Sequence, residues 1–275
     1  MRIALCNEVI RDLSFLEQCE LAAGLGYDGI ELAPFTLGEA PHLLSADDRA
    51  VLRRVAGDNG LTIDSLHWLL VTPAGLSITS PDDGVRGRTI DVMCRLVGLA
   101  ADLGCTAMVH GSPAQRQLDP GDEDAGRARA RDCFAAVADE AAAAGIAYCI
   151  EPLAGRETNF VNSVAEAVAL VEAIGSPGLR TMIDCSAAAL DEAEPVAALL
   201  DRWLPTGMIA HVQVNDRNQQ GPGQGDDQFA PVFAALRRHG YDRVVAVEPF
   251  DYRPDGATSA ARAIGYIRGI LEALP

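Results

Sequence analysis

The sequence predicts an α/β fold, a (β/α)8 TIM barrel built by one domain spanning residues 1–275. Three observations carry that expectation. Eight short apolar runs alternate with eight Ala-rich amphipathic stretches, the pattern of buried parallel strands joined by crossover helices. Several of the amphipathic stretches end in a glycine that introduces the next run, at Gly26, Gly60, Gly104, Gly145 and Gly240. Glycine there supplies the left-handed helix cap and a tight return. No glycine-rich dinucleotide loop follows any run, which leaves the doubly wound open sheet as the runner-up.

The elements follow in order. Strand Ile3–Cys6 precedes helix Leu13–Leu25, and Gly29–Leu32 precedes Asp47–Asn59. Thr62–Leu66 leads to Arg88–Leu103, and Ala107–His110 leads to Arg127–Ala144. Strand Ala147–Glu151 is followed by helix Val164–Ile174, whose start Ser163-Val164-Ala165-Glu166 reads as a capping box. Thr181–Asp184 then leads to Val196–Leu204, Ala210–Val214 to Ala230–His239, and Val244–Glu248 to a closing helix Ser259–Leu274. The polar stretches Asp119–Gly126 and Asn215–Asp227 are loop-sized, so no linker divides the chain.

Composition limits the function classes. Lys and Arg number 22 against 39 Asp and Glu, a net charge of −17. Such a surface lacks the basic face that nucleic acid or an anionic membrane requires. No apolar segment approaches the roughly 18 residues of a membrane span. The start MRIALCNEVIRDLS meets Glu8, Arg11 and Asp12 too soon for a signal peptide and reads as the first strand. Seven cysteines form no CxxC pair and sit mostly in apolar runs, as reduced core residues of a cytoplasmic protein do.

Four of the later strands end on a polar residue able to bind a metal: Glu151, Asp184, Gln213 and Glu248. A lone strand-end glutamate commonly caps a helix or pairs with a loop. Four on consecutive strands are different, because in such a barrel the C-terminal strand ends converge on the face that carries active sites. Adjacent strands lie roughly 5 Å apart, so these side chains can reach one ion. Three carboxylates and an amide make an oxygen-rich cage, suited to Mn2+ or Mg2+ first, with Co2+ or Zn2+ as alternatives.

The chain resembles the xylose-isomerase-like barrel superfamily of sugar isomerases and epimerases over nearly its whole length. The resemblance rests on Gly29-Ile30-Glu31-Leu32, Ile150-Glu151-Pro152, Ile183-Asp184, His211-Val212-Gln213-Val214-Asn215-Asp216-Arg217 and Val247-Glu248-Pro249-Phe250. It implies one divalent ion held at these strand ends, with Glu151 and Glu248 also serving as acid and base. Ketose 3-epimerases are similar at Glu157 and Arg217, which match substrate-contacting positions, but carry His in place of Gln213 and a substrate-binding His in place of Ala187. Hydroxypyruvate isomerases are similar at the His-x-Gln motif, where the glutamine is a ligand. The loop Gly221-Pro222-Gly223-Gln224-Gly225-Asp226 is similar in both groups.

The expected chemistry is proton transfer beside a carbonyl through a metal-stabilised enediolate. One glutamate removes the proton and the other returns it, to the same carbon for epimerisation or to its neighbour for isomerisation. His67 and His110, at the ends of the third and fourth strands, are expected as substrate hydrogen-bond partners on the same face. His211 shares a strand side with Gln213 and positions the substrate or supports that glutamine. Arg217 offers a fork of donors to a substrate oxygen, and Glu31 and Glu157 complete the expected substrate contacts. Trp68 and Phe250 read first as ordinary core packing and second as an apolar wall beside the site, while His42 and His239 are assigned no chemistry.

The expected function is therefore a divalent-metal-dependent isomerase or epimerase of a small keto-sugar or hydroxy-carbonyl substrate. Hydroxypyruvate isomerase, or a lyase or dehydratase of a polyol derivative, is the alternative on the same scaffold. A DNA-repair endonuclease of this fold needs more strand-end histidines than five in total can supply. A metal-stabilised binding subunit is the non-catalytic alternative. The partner is a small molecule, with no nucleic acid and no membrane, and a homo-oligomer is compatible with the sequence.

Overall fold

The structure, a computed structural model, describes residues 1–275. Eight parallel strands hydrogen-bond in sequence order and the last closes on the first. They are β1 (Arg2–Cys6), β2 (Gly29–Leu32), β3 (Thr62–Leu66), β4 (Ala107–His110), β5 (Ala147–Ile150), β6 (Leu179–Asp184), β7 (Ile209–Val214) and β8 (Val244–Val247). Around them run α1 (Phe15–Leu25), α2 (Ala46–Asp58), α3 (Asp83–Leu103), α4 (Glu123–Ala144), α5 (Val164–Ile174), α6 (Cys185–Asp191), α7 (Val196–Trp203), α8 (Ala230–Arg238) and α9 (Gly256–Ala273). The (β/α)8 barrel expected from the alternation is the observed architecture. No helix is long and apolar enough to cross a membrane.

Two expected strand ends shift by one residue, for one physical reason. β5 stops at Ile150 and β8 at Val247, so Glu151 and Glu248 stand just beyond the ladder. Each precedes a proline, which has no N–H to extend parallel pairing. The glutamates are thus anchored by rigid strands and released into the barrel mouth.

Helix α6 was not anticipated, since the sequence reading placed only one helix between β6 and β7. Asp184 opens it by accepting a hydrogen bond from Ala187 N at 2.7 Å. α3 and α4 start several residues before their expected positions, at Asp83 and Glu123. The capping box at Ser163 is half formed. Ser163 Oγ accepts from Glu166 N at 3.2 Å, but Glu166 reaches back to Asn162 N at 2.7 Å instead of the Ser163 N–H. The αL glycines after α3 and α4, Gly104 (φ 86°) and Gly145 (φ 70°), end those helices as expected.

The main core fills the space between strands and helices, and a small separate cluster of Ala107, Val109, Cys149, Met182 and Ala210 fills the barrel interior. Two register shifts re-aim side chains inward. β3 skips Asp64 between Ile63 and Ser65 as it pairs with β2, and β7 skips Ala210 as it pairs with β6. A bulge of this kind changes the parity of the residues that follow. Ala210 and then His211 and Gln213 consequently all serve the interior.

Candidate metal centre and active site

Glu151, Asp184 and Glu248 converge at the C-terminal mouth of the barrel, with one oxygen from each within 4.8 Å of the others, and all three are buried. Each is held differently. Asp184 Oδ1 accepts the Ala187 N–H, and Oδ2 accepts Asn215 Nδ2 at 2.7 Å. Asn215 is itself locked, donating to Glu248 O at 3.0 Å and accepting from Ser186 N at 2.8 Å. Glu248 Oε1 lies 2.8 Å from His67 Nδ1 and accepts Trp68 Nε1–H at 3.0 Å. Glu151 lies against Gly111, where any Cβ would strike its carboxylate, so only glycine leaves it room.

Three carboxylates so close oppose one another's ionisation. Burial pushes Glu151 well above the usual carboxylate range, and the charges of Glu248 and Asp184 push it further, with Arg116 opposing. Burial likewise raises Glu248 to about 8, although the His67 hydrogen bond and charge pull the other way. Asp184 is raised to about 6 by burial despite the Ala187 and Asn215 bonds.

Beneath this cluster lies a polar network inside the barrel. Glu31, fully buried, accepts Gln213 Nε2–H at 2.6 Å, the Ser65 hydroxyl, and the Cys6 thiol at 3.3 Å. His211 Nε2 stands 2.7 Å from Glu31 Oε2, without the alignment of a hydrogen bond. Burial alone would raise Glu31, but His211, His67 and Ser65 outweigh it and hold the carboxyl far below its ordinary value. His67 Nε2 reaches Glu8 Oε2 at 2.9 Å, so its ring spans Glu8 and Glu248. Burial disfavours the imidazolium, yet those carboxylates raise the His67 pKa well above the ordinary value.

The expected ligands and the expected substrate contacts therefore fare differently. Glu151, Asp184 and Glu248 are brought together, and Gln213 stands beside Asp184 in the strand register. His110 does not join them. It faces the helix layer, with Nδ1 2.8 Å from the Tyr148 hydroxyl and its ring edge-on to Phe134. Inward Val109 leaves the next side chain outward, away from the three carboxylates. Burial pulls it down to about 3, so the ring is neutral.

Glu31 makes its contacts inside the barrel, with His211 and Gln213 among them. His67 lies between Glu8 and Glu248. Arg217 is turned to the loop between β7 and α8, where Asp227 holds its Nε at 2.6 Å and its backbone N–H at 2.8 Å. Glu157 caps its own turn, accepting Ala154 N at 3.1 Å, while its charge is among the smaller influences raising Glu151 and Asp184 after burial.

Sequence reasoning missed Glu8, Asn215 and Arg116. Glu8 follows an apolar strand just as the four chosen residues do, and the same signal finds it. Asn215 lies two residues past Gln213 and shares its side of the chain. Arg116, in the turn Pro113–Arg116, is fully buried and donates to Glu151 O at 2.7 Å and His110 O at 3.3 Å. Nothing in a Pro-Ala-Gln-Arg turn announces that.

The donor set fits a divalent cation. Glu248 Oε2 and Gln213 Oε1 are both buried and both lack a hydrogen-bond partner, an unfavourable state that a cation relieves. The ligands are all oxygen, the preference of a hard ion such as Mg2+ or Mn2+. Size alone does not locate this centre. A 440 Å³ hollow beside α6 and the β7–α8 loop includes Arg217 but none of the three carboxylates. A 380 Å³ cleft lined by Glu8, Trp68 and Phe250 adjoins Glu248 through Glu8–His67 and Trp68.

Fold and site together define a barrel whose loop face carries a buried carboxylate cage. The sequence profile of the xylose isomerase-like TIM barrel family matches residues 19–270, and the chain belongs to that family. A D-psicose 3-epimerase of Agrobacterium fabrum is 28% identical over 235 residues, which cover 84% of this chain and 78% of that protein. A 2-oxo-tetronate isomerase of Cupriavidus necator is 30% identical over 161 residues, 56% of this chain and 58% of that one. A crystal structure of D-psicose 3-epimerase in the presence of D-fructose shares the fold with a TM-score of 0.83 at 22% identity. It covers 98% of this chain and 99% of that chain.

Proposed function

We propose that the protein is a divalent-metal-dependent isomerase or epimerase of a small keto-sugar or hydroxy-carbonyl compound, with Glu151 and Glu248 as its proton-transfer pair. The observation that carries this reading is the buried cluster of Glu151, Asp184 and Glu248 beside the unpartnered oxygens of Glu248 and Gln213. The similarity to a D-psicose 3-epimerase and to a 2-oxo-tetronate isomerase supports the same chemistry. Both activities move a proton next to a carbonyl.

Glu151, Asp184, Gln213 and Glu248 would hold Mn2+ or Mg2+, which supplies positive charge where negative charge develops on a substrate oxygen. The protein's own groups do the proton work. Glu151 makes no side-chain hydrogen bond that fixes its carboxylate, which leaves an oxygen free to take a proton from carbon. Glu248 is fixed through Oε1 by His67 and Trp68, and its buried Oε2 has no partner. Burial raises both carboxyls above the ordinary carboxylate range, Glu248 to about 8, and a higher pKa makes the ionised form a stronger base.

In 2H2O with Mn2+ and D-fructose, D-psicose or hydroxypyruvate as trial substrates, the wild-type protein is expected to introduce deuterium beside the carbonyl at unchanged mass otherwise. Glu151→Gln and Glu248→Gln should each slow that exchange by about 10²–10⁴-fold while keeping the fold. Undiminished exchange in both variants rejects the assignment. Loss of water or a carbon fragment from the product would point to the lyase alternative.

A further inference from the structure

A second group of metal-binding side chains gathers on the other side of Glu248. Cys6 ends β1, and Glu8 lies in the turn that follows it. His67 and Glu248 stand one residue past β3 and β8. One ligand atom from each of Cys6, Glu8, His67 and Glu248 lies within 4.8 Å of all the others. All four residues are buried, and Glu8 is only 5% exposed. Even so, Glu8 Oε1 and Glu248 Oε2 have no hydrogen-bond partner, a cost that a nearby cation removes.

The donors differ in kind from those of the first centre. Glu151, Asp184, Gln213 and Glu248 offer oxygen alone. Cys6, Glu8, His67 and Glu248 offer one sulfur, one imidazole nitrogen and two carboxylates. Four mixed donors of this kind suit tetrahedral Zn2+, whereas Mg2+ and Mn2+ favour oxygen. Zinc bonds of ordinary length set tetrahedral ligand atoms roughly 3.3–3.8 Å apart. The observed spread closes to that range with roughly 1 Å of side-chain movement.

The present contacts show what an ion replaces. His67 Nε2 is 2.9 Å from Glu8 Oε2, and Nδ1 is 2.8 Å from Glu248 Oε1, so each ring nitrogen already faces a carboxylate oxygen. An ion entering on one side takes the place of a proton. Cys6 Sγ donates to Glu31 Oε1 at 3.3 Å, and coordination ionises such a thiol outright. The 380 Å³ cleft that Glu8 lines is the way in. Glu248 has two oxygens and belongs to both groups.

We propose that Cys6, Glu8, His67 and Glu248 form a second cation site, which takes Zn2+ in preference to Mn2+ and meets the first centre at Glu248. The proposal goes beyond the proton-transfer reading and does not depend on it.

Co2+ added to the metal-free full chain tests this, because a thiolate on cobalt gives a charge-transfer band in the near ultraviolet. Cys6 is the one cysteine in the cluster. A saturable band is expected in the wild type and in Asp184→Asn, and none in Cys6→Ser. Zn2+ should bleach the band, and excess Mn2+ should leave it. Glu8→Gln keeps the thiol and guards against misfolding of Cys6→Ser; it should weaken the Co2+ affinity read from the band by about tenfold or more. The absence of a band in the wild type, its persistence in Cys6→Ser, or an unchanged affinity in Glu8→Gln overturns the site. Loss of the band in Asp184→Asn would place the thiolate in the first centre and also overturns it. Bleaching by Mn2+ but not by Zn2+ overturns the assignment to zinc.

Discussion

Asn215 holds the centre together from outside the expected ligand set. Its amide reaches Asp184, the Glu248 carbonyl and the Ser186 N–H, so one side chain fixes two neighbouring strand ends and the start of α6. Asn215→Ala leaves an acceptor on Asp184, the Glu248 carbonyl and a buried N–H unsatisfied. A loss of about 2–3 kcal/mol in urea unfolding is expected, and a loss below about 0.5 kcal/mol contradicts the account. The acidic strand ends themselves were legible because a charge closing an apolar run has few other places to go. That His110 faces the helices was not legible, because strands buried on both faces carry no alternation that tells inward from outward. Nor were the contacts of Glu31, because Cys6, Ser65, His211 and Gln213 come from three other strands, and no local pattern reveals their convergence.

At the scale of elements, all eight strands were readable, and the errors fell on helix starts. α3 begins at Asp83 with Gly84 and Gly87 in its first turns, and α4 carries Gly126 near its start. Glycine there weakens the local helical signal, while Asp82 supplies the real start by accepting from Gly84 N at 2.7 Å and Val85 N at 3.2 Å. α6 is only seven residues long, below the length at which periodicity can be recognised. Packing between elements is exacting at Gly178, before β6. A Cβ there would strike Ala138 O and come 2.6 Å from Ala142 N, both on α4. Helix backbone cannot yield as a flexible side chain does. Gly178→Ala is therefore expected to cost about 2 kcal/mol and to lower Tm. An unchanged Tm would mean that α4 and β6 separate freely.

For the whole molecule, the barrel concentrates uncompensated acid at one place. Asp184 is raised to about 6 and Glu248 to about 8, chiefly by burial, and Glu151 is raised in the same direction. A carboxyl that holds its proton more tightly folded than unfolded favours folding below its unfolded pKa of about 4 and loses that contribution as pH rises through the folded pKa. The metal-free protein should thus lose stability between about pH 4 and pH 8 from these groups. Mn2+ held as proposed would bind the ionised carboxylates and reverse the trend, so the Tm increment it produces should grow over the same window. Thermal scans with EDTA or Mn2+ at pH 5, 6, 7 and 8 check this, and a Mn2+ increment that does not change with pH contradicts it.

Residues from separate strand ends are proposed to form one cation site, and titration of Mn2+ into metal-free protein tests this. One ion per chain is expected for the wild type, with Asp184→Asn weakening it by about 100-fold or more. Equal stoichiometry and affinity in the two proteins would contradict it.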